Sequence, residues 1–164
     1  MGCGKSSVGR ELSKLLCCRF MDLDEVIEEK EGRRIAEIFE ADGEKGFRKI
    51  EAKILESIIR NPGMPSPSVV LALGGGAVTR RECEEMVHRD TTCIYLRASV
   101  EQLLKNLEGE SEHRPLLASG GLRKRIEELM DLRRETYERT AHIIIDTDGK
   151  GIGQIAEEII SALG

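Results

Sequence analysis

The residues best suited to chemistry stand at the start of the chain, in the stretch GCGKSS from Gly2 to Ser7. This stretch matches the end of the phosphate-binding loop G-x-x-x-x-G-K-[ST], whose glycines turn backbone N–H groups toward phosphate oxygens. In such a loop Lys5 reaches the β- and γ-phosphates and the Ser6 hydroxyl holds Mg²⁺. A glycine-rich entry into a helix would look the same, so the motif predicts a nucleotide phosphate site only in company with other residues.

Two carboxylates follow in the stretch DLD, at Asp22 and Asp24, directly after a predicted short strand. Ligands of open α/β sheets bind at the carboxyl ends of the strands, so both side chains would project into a cleft. One carboxylate near Mg²⁺ and another near a hydroxyl is an arrangement that phosphoryl transfer uses. The alternative is structural, because either aspartate could cap a helix that starts near Glu25.

Glycines and arginines further along the chain could complete a pocket for an anionic substrate. Gly74, Gly75 and Gly76 follow a buried apolar strand, where the absence of side chains lets a ligand approach the backbone. The alternative is a tight turn, which needs fewer glycines. Arginines bind carboxylates and phosphates in a bidentate manner, although each by itself could be a solvated surface residue. The arginines predicted at the cleft edge are Arg48, Arg114 and Arg133.

The composition indicates a soluble globular protein. The chain has 164 residues, of which 40% are hydrophobic and 34% charged, enough for one domain with its own core. The net charge of -5 argues against a nucleic-acid partner, and no apolar run has the length of a membrane span. The five cysteines lack metal-ligand spacing. Cys17, Cys18 and Cys93 lie in apolar stretches and are predicted to be small core residues.

Helical and strand patterns alternate along the chain, which predicts an α/β fold with a mostly parallel sheet. Helices are predicted over 6–16, 79–89, 99–107, 122–140 and 152–163, with two or three more over 24–59 that Gly32 and the pair Gly43/Gly46 divide. Strands are predicted over 17–20, 69–73, 91–98 and 142–147.

Taken together, these motifs resemble those of the shikimate kinase family. The resemblance rests on GCGKSSVGRELSKLL, FMDLDEVIEE, IAEIFEADGEKGFRKIE, LALGGGAV, HRPLL and LRRETYERTAHIIIDT, which follow the family's order and cover nearly the whole chain. It implies a three-layer α/β/α fold with a parallel sheet of the nucleoside-monophosphate-kinase type, in one kinase domain over 1–164. Within that domain, a helical segment over 25–60 would bind the substrate and a lid over 109–121 would close over it.

The resemblance also implies an activity. This is the transfer of the γ-phosphoryl of ATP to the 3-hydroxyl of shikimate, with Mg²⁺, in aromatic amino-acid biosynthesis. The expected partners are small molecules, with no nucleic acid and no membrane. A cytoplasmic monomer is expected, or a protein of the plastid stroma if an N-terminal segment is missing. Two alternatives stay open: a non-catalytic relative, and a kinase for another hydroxylated carboxylate such as gluconate.

Residue roles follow from the same resemblance. Glu51, three residues after Arg48 on a helix, is expected to orient that arginine. Asp24 is the candidate base, and Arg114 would stabilise charge on the transferred phosphoryl, with Lys5 as the third catalytic residue. The ATP phosphates would be held by Gly2, Gly4, Lys5, Ser6, Ser7 and Arg114. The metal would be held by Ser6 and Asp22. Shikimate would be held by Asp24, Arg48, Gly74, Gly75, Gly76 and Arg133.

One element that the resemblance implies has no counterpart in the sequence. Members of the family carry a strand and an earlier glycine before the GCGKS stretch. In the family's sheet this strand is central, between the second and third strands predicted here, so its absence would open a gap of about 10 Å. The chain is therefore expected to be a fragment, to have a misassigned start, or to close up its sheet.

Overall fold

Seven helices and four strands alternate along the residues that the structure describes. The computed structural model describes residues 3–60, 69–109 and 121–164. None of the helices in these ranges is long and apolar enough to cross a membrane. The helices are α1 (Lys5–Leu15), α2 (Leu23–Glu31), α3 (Ile35–Ile59), α4 (Arg81–Asp90), α5 (Val100–Gly109), α6 (Gly121–Thr140) and α7 (Ile152–Leu163). The strands are β1 (Arg19–Asp22), β2 (Val69–Ala72), β3 (Ile94–Arg97) and β4 (Ile143–Asp146).

The strands form two separate parallel pairs. β1 pairs with β2, with Asp22 opposite Ala72, and β3 pairs with β4, with Arg97 opposite Asp146. The prediction of parallel strands is therefore confirmed. Within the described ranges no backbone ladder joins β2 to β3. The two strands are therefore not paired, and the alternative of a sheet that closes up is wrong for these residues.

Helix packing connects the two strand pairs. α1 lies against β2 and α7, and α7 lies against β4. Val8 and Leu12 of α1 are buried in one apolar cluster with residues of α7 and β4. Val70 of β2 packs on this cluster from one side, and Ile94 and Leu96 of β3 pack on it as well. Side-chain burial, at roughly 1.5–3 kcal/mol for each fully buried aliphatic residue, thus provides the cohesion that backbone hydrogen bonds do not provide there.

Glycines shape the helical segment that follows β1. Gly32 ends α2 with a φ of 62°, and Gly43 interrupts α3 with a φ of 66° and a ψ of 179°. Glycine adopts both conformations without the steric cost that a Cβ would add. The prediction that glycines divide this segment is confirmed at these two positions, whereas the chain stays helical at Gly46. The kink at Gly43 sets the direction of the second half of α3, which carries Arg48 and Glu51.

The C-terminus of α1 is closed by a backbone turn that usually contains glycine. The Cys17 N–H donates to the Lys14 carbonyl at 3.1 Å, and the Cys18 N–H donates to the Ser13 carbonyl at 2.9 Å. These are the paired bonds of a Schellman motif, which requires a left-handed residue after the helix cap. Cys17 takes that position with a φ of 51°.

This turn corrects two predictions. Cys17 is exposed, so the prediction that it is a core residue is wrong. The strand predicted over 17–20 is also misplaced, because both cysteines belong to the helix cap and β1 begins at Arg19. Apolar composition alone does not reveal that a residue must adopt a positive φ.

The cap predicts a stabilising substitution. Cys17→Gly should raise the free energy of unfolding by about 1 kcal/mol, because glycine removes the left-handed strain at a cap position that favours it. Chemical denaturation followed by circular dichroism measures the change. Cys17→Ala is the matched control, since alanine removes the thiol and keeps the Cβ. Equal stability of the two variants would contradict the strain argument.

Candidate active site

The N-terminus of α1 is built to face an anion. Gly4 precedes the helix with a φ of 71° and a ψ of 17°, and no side chain caps the helix there. The first N–H groups of α1 are therefore available, and the helix dipole favours negative charge at this end. Lys5 and Ser6 open the helix and are half-buried, whereas Ser7 is exposed. Gly2, the first residue assigned to the phosphate loop, lies outside the described residues.

Asp22 joins the phosphate loop to the end of β1. The Ser6 hydroxyl donates to Asp22 Oδ2 at 2.6 Å, and the Asp24 N–H donates to Asp22 Oδ1 at 3.1 Å. Asp22 is also the N-cap of α2, which begins at Leu23 and not near Glu25. The capping interpretation of this carboxylate is therefore confirmed, because one oxygen caps α2. The other oxygen contacts Ser6, and the metal-binding interpretation stays a prediction.

Asp24 lies between two positive groups in the cleft. The charges of Lys5 and Arg48 act on its carboxylate and lower its pKa, but burial and the neighbouring Asp22 have the larger effect and raise it above the ordinary 3.8. Burial penalises the charged form of Asp24, so the ionised carboxylate accepts a proton more readily here than it would in water. A carboxylate of raised pKa in a cleft is a candidate for proton transfer.

Arg48 and Glu51 form a nearly buried ion pair on α3. Arg48 Nη1 lies 2.6 Å from Glu51 Oε2, and the two side chains are 19% and 3% exposed. The contact expected from their helical spacing is thus present. Burial raises the pKa of Glu51, and the adjacent Arg48 opposes that rise. Glu51 Oε1 is buried and has no hydrogen-bond partner among the described residues, so part of this carboxylate remains unsatisfied beside the cleft.

The glycine loop (Gly74–Gly76) lies against these charged groups at close range. A Cβ added at Gly74 would sit 3.1 Å from Asp24 Oδ1 and 3.2 Å from Glu51 Oε1. A Cβ added at Gly76 would overlap the guanidinium of Arg48. Close approach therefore explains two of the three glycines, since neither has a positive φ. The tight-turn alternative also holds in part, because the Ala77 N–H donates to the Gly74 carbonyl at 3.0 Å.

α6 brings Arg133 to the same cluster. Arg133 is half-buried, and its charge acts on the carboxylate of Glu51 and on the phenol of Tyr137. Its neighbour Arg134 is exposed. Tyr137, one helical turn after Arg133, donates a hydrogen bond from its hydroxyl to the carbonyl of Gly75.

Sequence reasoning missed Tyr137. Its partner is 62 residues away along the chain, so no local pattern identifies the contact. The only available signal was its position four residues after Arg133, which places both side chains on one face of a helix.

The structure thus gathers the described members of the predicted site from five helices and strands and from the glycine loop. α1 brings Lys5 and Ser6, the end of β1 and the start of α2 bring the aspartates, α3 brings Arg48, the glycine loop follows β2, and α6 brings Arg133. Arg114 and most of the predicted lid over 109–121 lie outside the described residues. Among the described residues no group of three His, Cys, Asp or Glu side chains could hold a metal ion.

A family model for shikimate kinase matches residues 1–164. The chain belongs to the shikimate kinase family. A shikimate kinase from Dictyoglomus turgidum is 40% identical over 165 residues, which cover 99% of this chain and 92% of that protein. A shikimate kinase from Marinomonas sp. is 38% identical over 163 residues, which cover 99% and 87%.

Solved shikimate kinases share the fold. One from Acinetobacter baumannii, in complex with shikimate, matches with a TM-score of 0.85 and 34% identity over 99% of this chain and 88% of that chain. One from Aquifex aeolicus matches with a TM-score of 0.82 and 31% identity over 99% and 91%. The fold class and family inferred from the motifs are therefore confirmed, and the two alternative functions are not favoured.

The raised pKa of Asp24 predicts that its charged carboxylate lowers the stability of the folded chain. Asp24→Asn should increase the free energy of unfolding at pH 7, because the ionised carboxylate is disfavoured by burial. The gain should shrink as the pH falls through the raised pKa toward 3.8, where the wild-type side chain is protonated.

Urea titrations at several pH values test this expectation. Asp131→Asn on α6 serves as the control, because Asp131 is exposed and surface substitutions change stability by about 0.5 kcal/mol or less. A lower stability of Asp24→Asn at pH 7 would show that attraction to Lys5 and Arg48 outweighs burial.

Proposed function

We propose that this chain transfers the γ-phosphoryl of ATP to the 3-hydroxyl of shikimate, as its membership of the shikimate kinase family indicates. The observation that carries the proposal is the Arg48 guanidinium. It is held by Glu51, it lies against a glycine that has no side chain to cover it, and it acts on Asp24. A cation and a carboxylate side by side match a ligand that has both a carboxylate and hydroxyl groups.

On the nucleotide side, we assign the ATP phosphates to the backbone N–H groups and hydroxyls at the start of α1 and to the ammonium of Lys5. The exposed N-terminus of the helix and the positive φ of Gly4 support this assignment. The charge of Lys5 also lowers the pKa of Asp24, so the same ammonium would act on the phosphates and on the acceptor side. The residues assigned to ATP are Gly2, Gly4, Lys5, Ser6, Ser7 and Arg114, the last as the residue that neutralises charge on the transferred group.

Mg²⁺ fits beside the phosphate loop. The Ser6 hydroxyl and the Asp22 carboxylate lie within 2.6 Å of each other, and hard oxygen ligands of this kind suit the ion, which keeps several waters. When bound, Mg²⁺ would neutralise charge on the phosphates. Asp22 is held in place by the Asp24 N–H at the start of α2, so the protein orients the carboxylate in advance.

On the acceptor side, Asp24 would accept the proton of the shikimate hydroxyl as the oxygen attacks phosphorus. A raised pKa makes the carboxylate a better proton acceptor than an exposed aspartate. Arg48 and Arg133 would hold the shikimate carboxylate from two helices. The backbone of the glycine loop would line the pocket between them. Glu51 accepts from Arg48 Nη1, whereas Glu44 is 3.8 Å from Nη2, beyond hydrogen-bond range. The N–H groups of Nη2 would therefore be left for the ligand.

Three further assignments complete the proposal. The chain forms one kinase domain, in which the helical segment over 25–60 binds shikimate and the segment over 109–121 closes as a lid. The protein acts as a monomer without a nucleic-acid partner. It works in the cytoplasm, in the biosynthesis of aromatic amino acids.

An acceptor screen tests the activity. With ATP and Mg²⁺, we expect the chain to phosphorylate shikimate and to leave gluconate and adenosine monophosphate unchanged, as followed by release of ADP. Arg133→Ala should raise the KM for shikimate about ten- to hundredfold, since a charged hydrogen bond is lost. Arg134→Ala is the control and should not change it. Turnover of gluconate but not of shikimate would overturn the assignment.

Gly76→Ala tests the contact between the glycine loop and Arg48. The new methyl group should displace the guanidinium and raise the KM for shikimate at least about tenfold, because a bidentate contact tolerates little displacement. The KM for ATP should stay the same. Gly153→Ala is the matched control, since a Cβ at Gly153 on α7 meets nothing within 4 Å. An unchanged KM for shikimate in Gly76→Ala would remove Arg48 from the acceptor site.

A further inference from the structure

We propose that Tyr137 is a positioning residue for the acceptor site, because its hydroxyl fixes the glycine loop against α6. This inference rests on the proposed function and adds a residue to it. Tyr137 donates its hydroxyl hydrogen to the Gly75 carbonyl and is itself half-buried. Burial raises its pKa, and the charges of Arg133 and Arg48 oppose that rise. The phenol therefore stays protonated. It is in hydrogen-bond contact with the Arg133 side chain and within reach of the charge of Arg48, the two arginines assigned to the shikimate carboxylate.

The glycine loop needs such a contact because glycine restricts its own backbone least. Three consecutive carbonyls of this loop each accept a hydrogen bond. The Gly74 carbonyl accepts from the Ala77 N–H at 3.0 Å, and the Gly76 carbonyl accepts from the Thr79 N–H at 3.1 Å and the Thr79 hydroxyl at 2.7 Å. Those bonds are local. Of these four hydrogen bonds, the one from Tyr137 to Gly75 ties the loop to a distant element.

The position of the loop decides the geometry of the charged groups. The space beside Gly74 is closed by Asp24 and Glu51 and the space beside Gly76 by Arg48, since a Cβ added at either glycine would crowd these groups. A small movement of Gly75 away from Arg48 would open space beside the guanidinium, and a movement toward Arg48 would press on the guanidinium. The Tyr137 hydroxyl thus fixes the distance between the glycine loop and the Arg48 guanidinium. It takes no part itself in the transfer of the phosphoryl group.

The same side chain also holds α6 and Arg133 in relation to the loop. The ring of Tyr137 packs on that of Tyr95 of β3, with centroids 5.2 Å apart. The C-terminal end of α6 is anchored separately, through the ion pair of Arg139 with Glu84 and the bond of His88 Nδ1 with the Thr140 carbonyl at 3.1 Å. Tyr137 is therefore the point where the anchored end of α6 meets the acceptor pocket.

Tyr137→Phe tests the inference with a minimal change. Removal of the hydroxyl should raise the KM for shikimate about three- to tenfold, the effect expected for one neutral hydrogen bond. The KM for ATP should change less than about twofold, because Lys5 and Ser6 do not depend on the glycine loop. The effect should be less than additive with that of Arg133→Ala, since both changes act on one clamp.

Tyr95→Phe is the matched control, because it removes the hydroxyl of a second tyrosine, whose ring packs on that of Tyr137. It should leave both KM values unchanged. Equal increases of the KM for shikimate and for ATP in Tyr137→Phe, or the same increase in Tyr95→Phe, would indicate general loosening and would overturn the proposal. An unchanged KM for shikimate in Tyr137→Phe would do so too.

Amide hydrogen exchange separates this inference from the proposed function. In the ligand-free protein, exchange at Gly75 to Ala77 should be faster in Tyr137→Phe than in Tyr95→Phe, while the peptides of α1 stay the same. If the wild-type chain does not phosphorylate shikimate, the proposed function fails, and the exchange measurement still decides whether Tyr137 fixes the loop. Equal exchange in the two variants would refute it.

Discussion

The buried ion pair of Arg48 and Glu51 is the constraint on which the site depends. A buried carboxylate is costly unless it is paired, and Glu51 is only 3% exposed. The pair must therefore stay together, and it fixes the guanidinium at one place in the cleft. That place leaves no room for a side chain at Gly76. The last glycine of LALGGGAV is thus explained by a charge on α3 and not by the turn alone.

Two contacts order different parts of the site. The hydrogen bond from Ser6 to Asp22 links the phosphate loop to the end of β1. The ion pair on α3 would prepare the acceptor side of the proposed site. Asp24 lies where both regions meet, and the charges of Lys5 and Arg48 act on it together. In the proposed site a single carboxylate would thus feel the charges of the nucleotide side and of the acceptor side at once, as phosphoryl transfer requires of a proton acceptor.

Much of the site could be predicted because its signals are local. The motif around Lys5 has fixed spacing, and the rule that ligands bind at the ends of parallel strands placed Asp22 and Asp24. The contact of Tyr137 with Gly75 could not be predicted, since it joins residues far apart and tyrosine has no preferred carbonyl. Cys17 was misread for another reason, because its apolar surroundings gave no indication of a helix cap with a positive φ.

The separation of the two strand pairs has a mechanical consequence. Hydrogen-bonded strands hold a fixed register, whereas packed helices can slide by small shear movements. Arg48 lies on α3, between the two strands of the first pair in the chain, and Arg133 lies on α6, between the two strands of the second pair. A carboxylate held by both would brace the two pairs against shear. The ligand would then serve as a structural crosslink, and its concentration would set part of the resistance of the chain to unfolding.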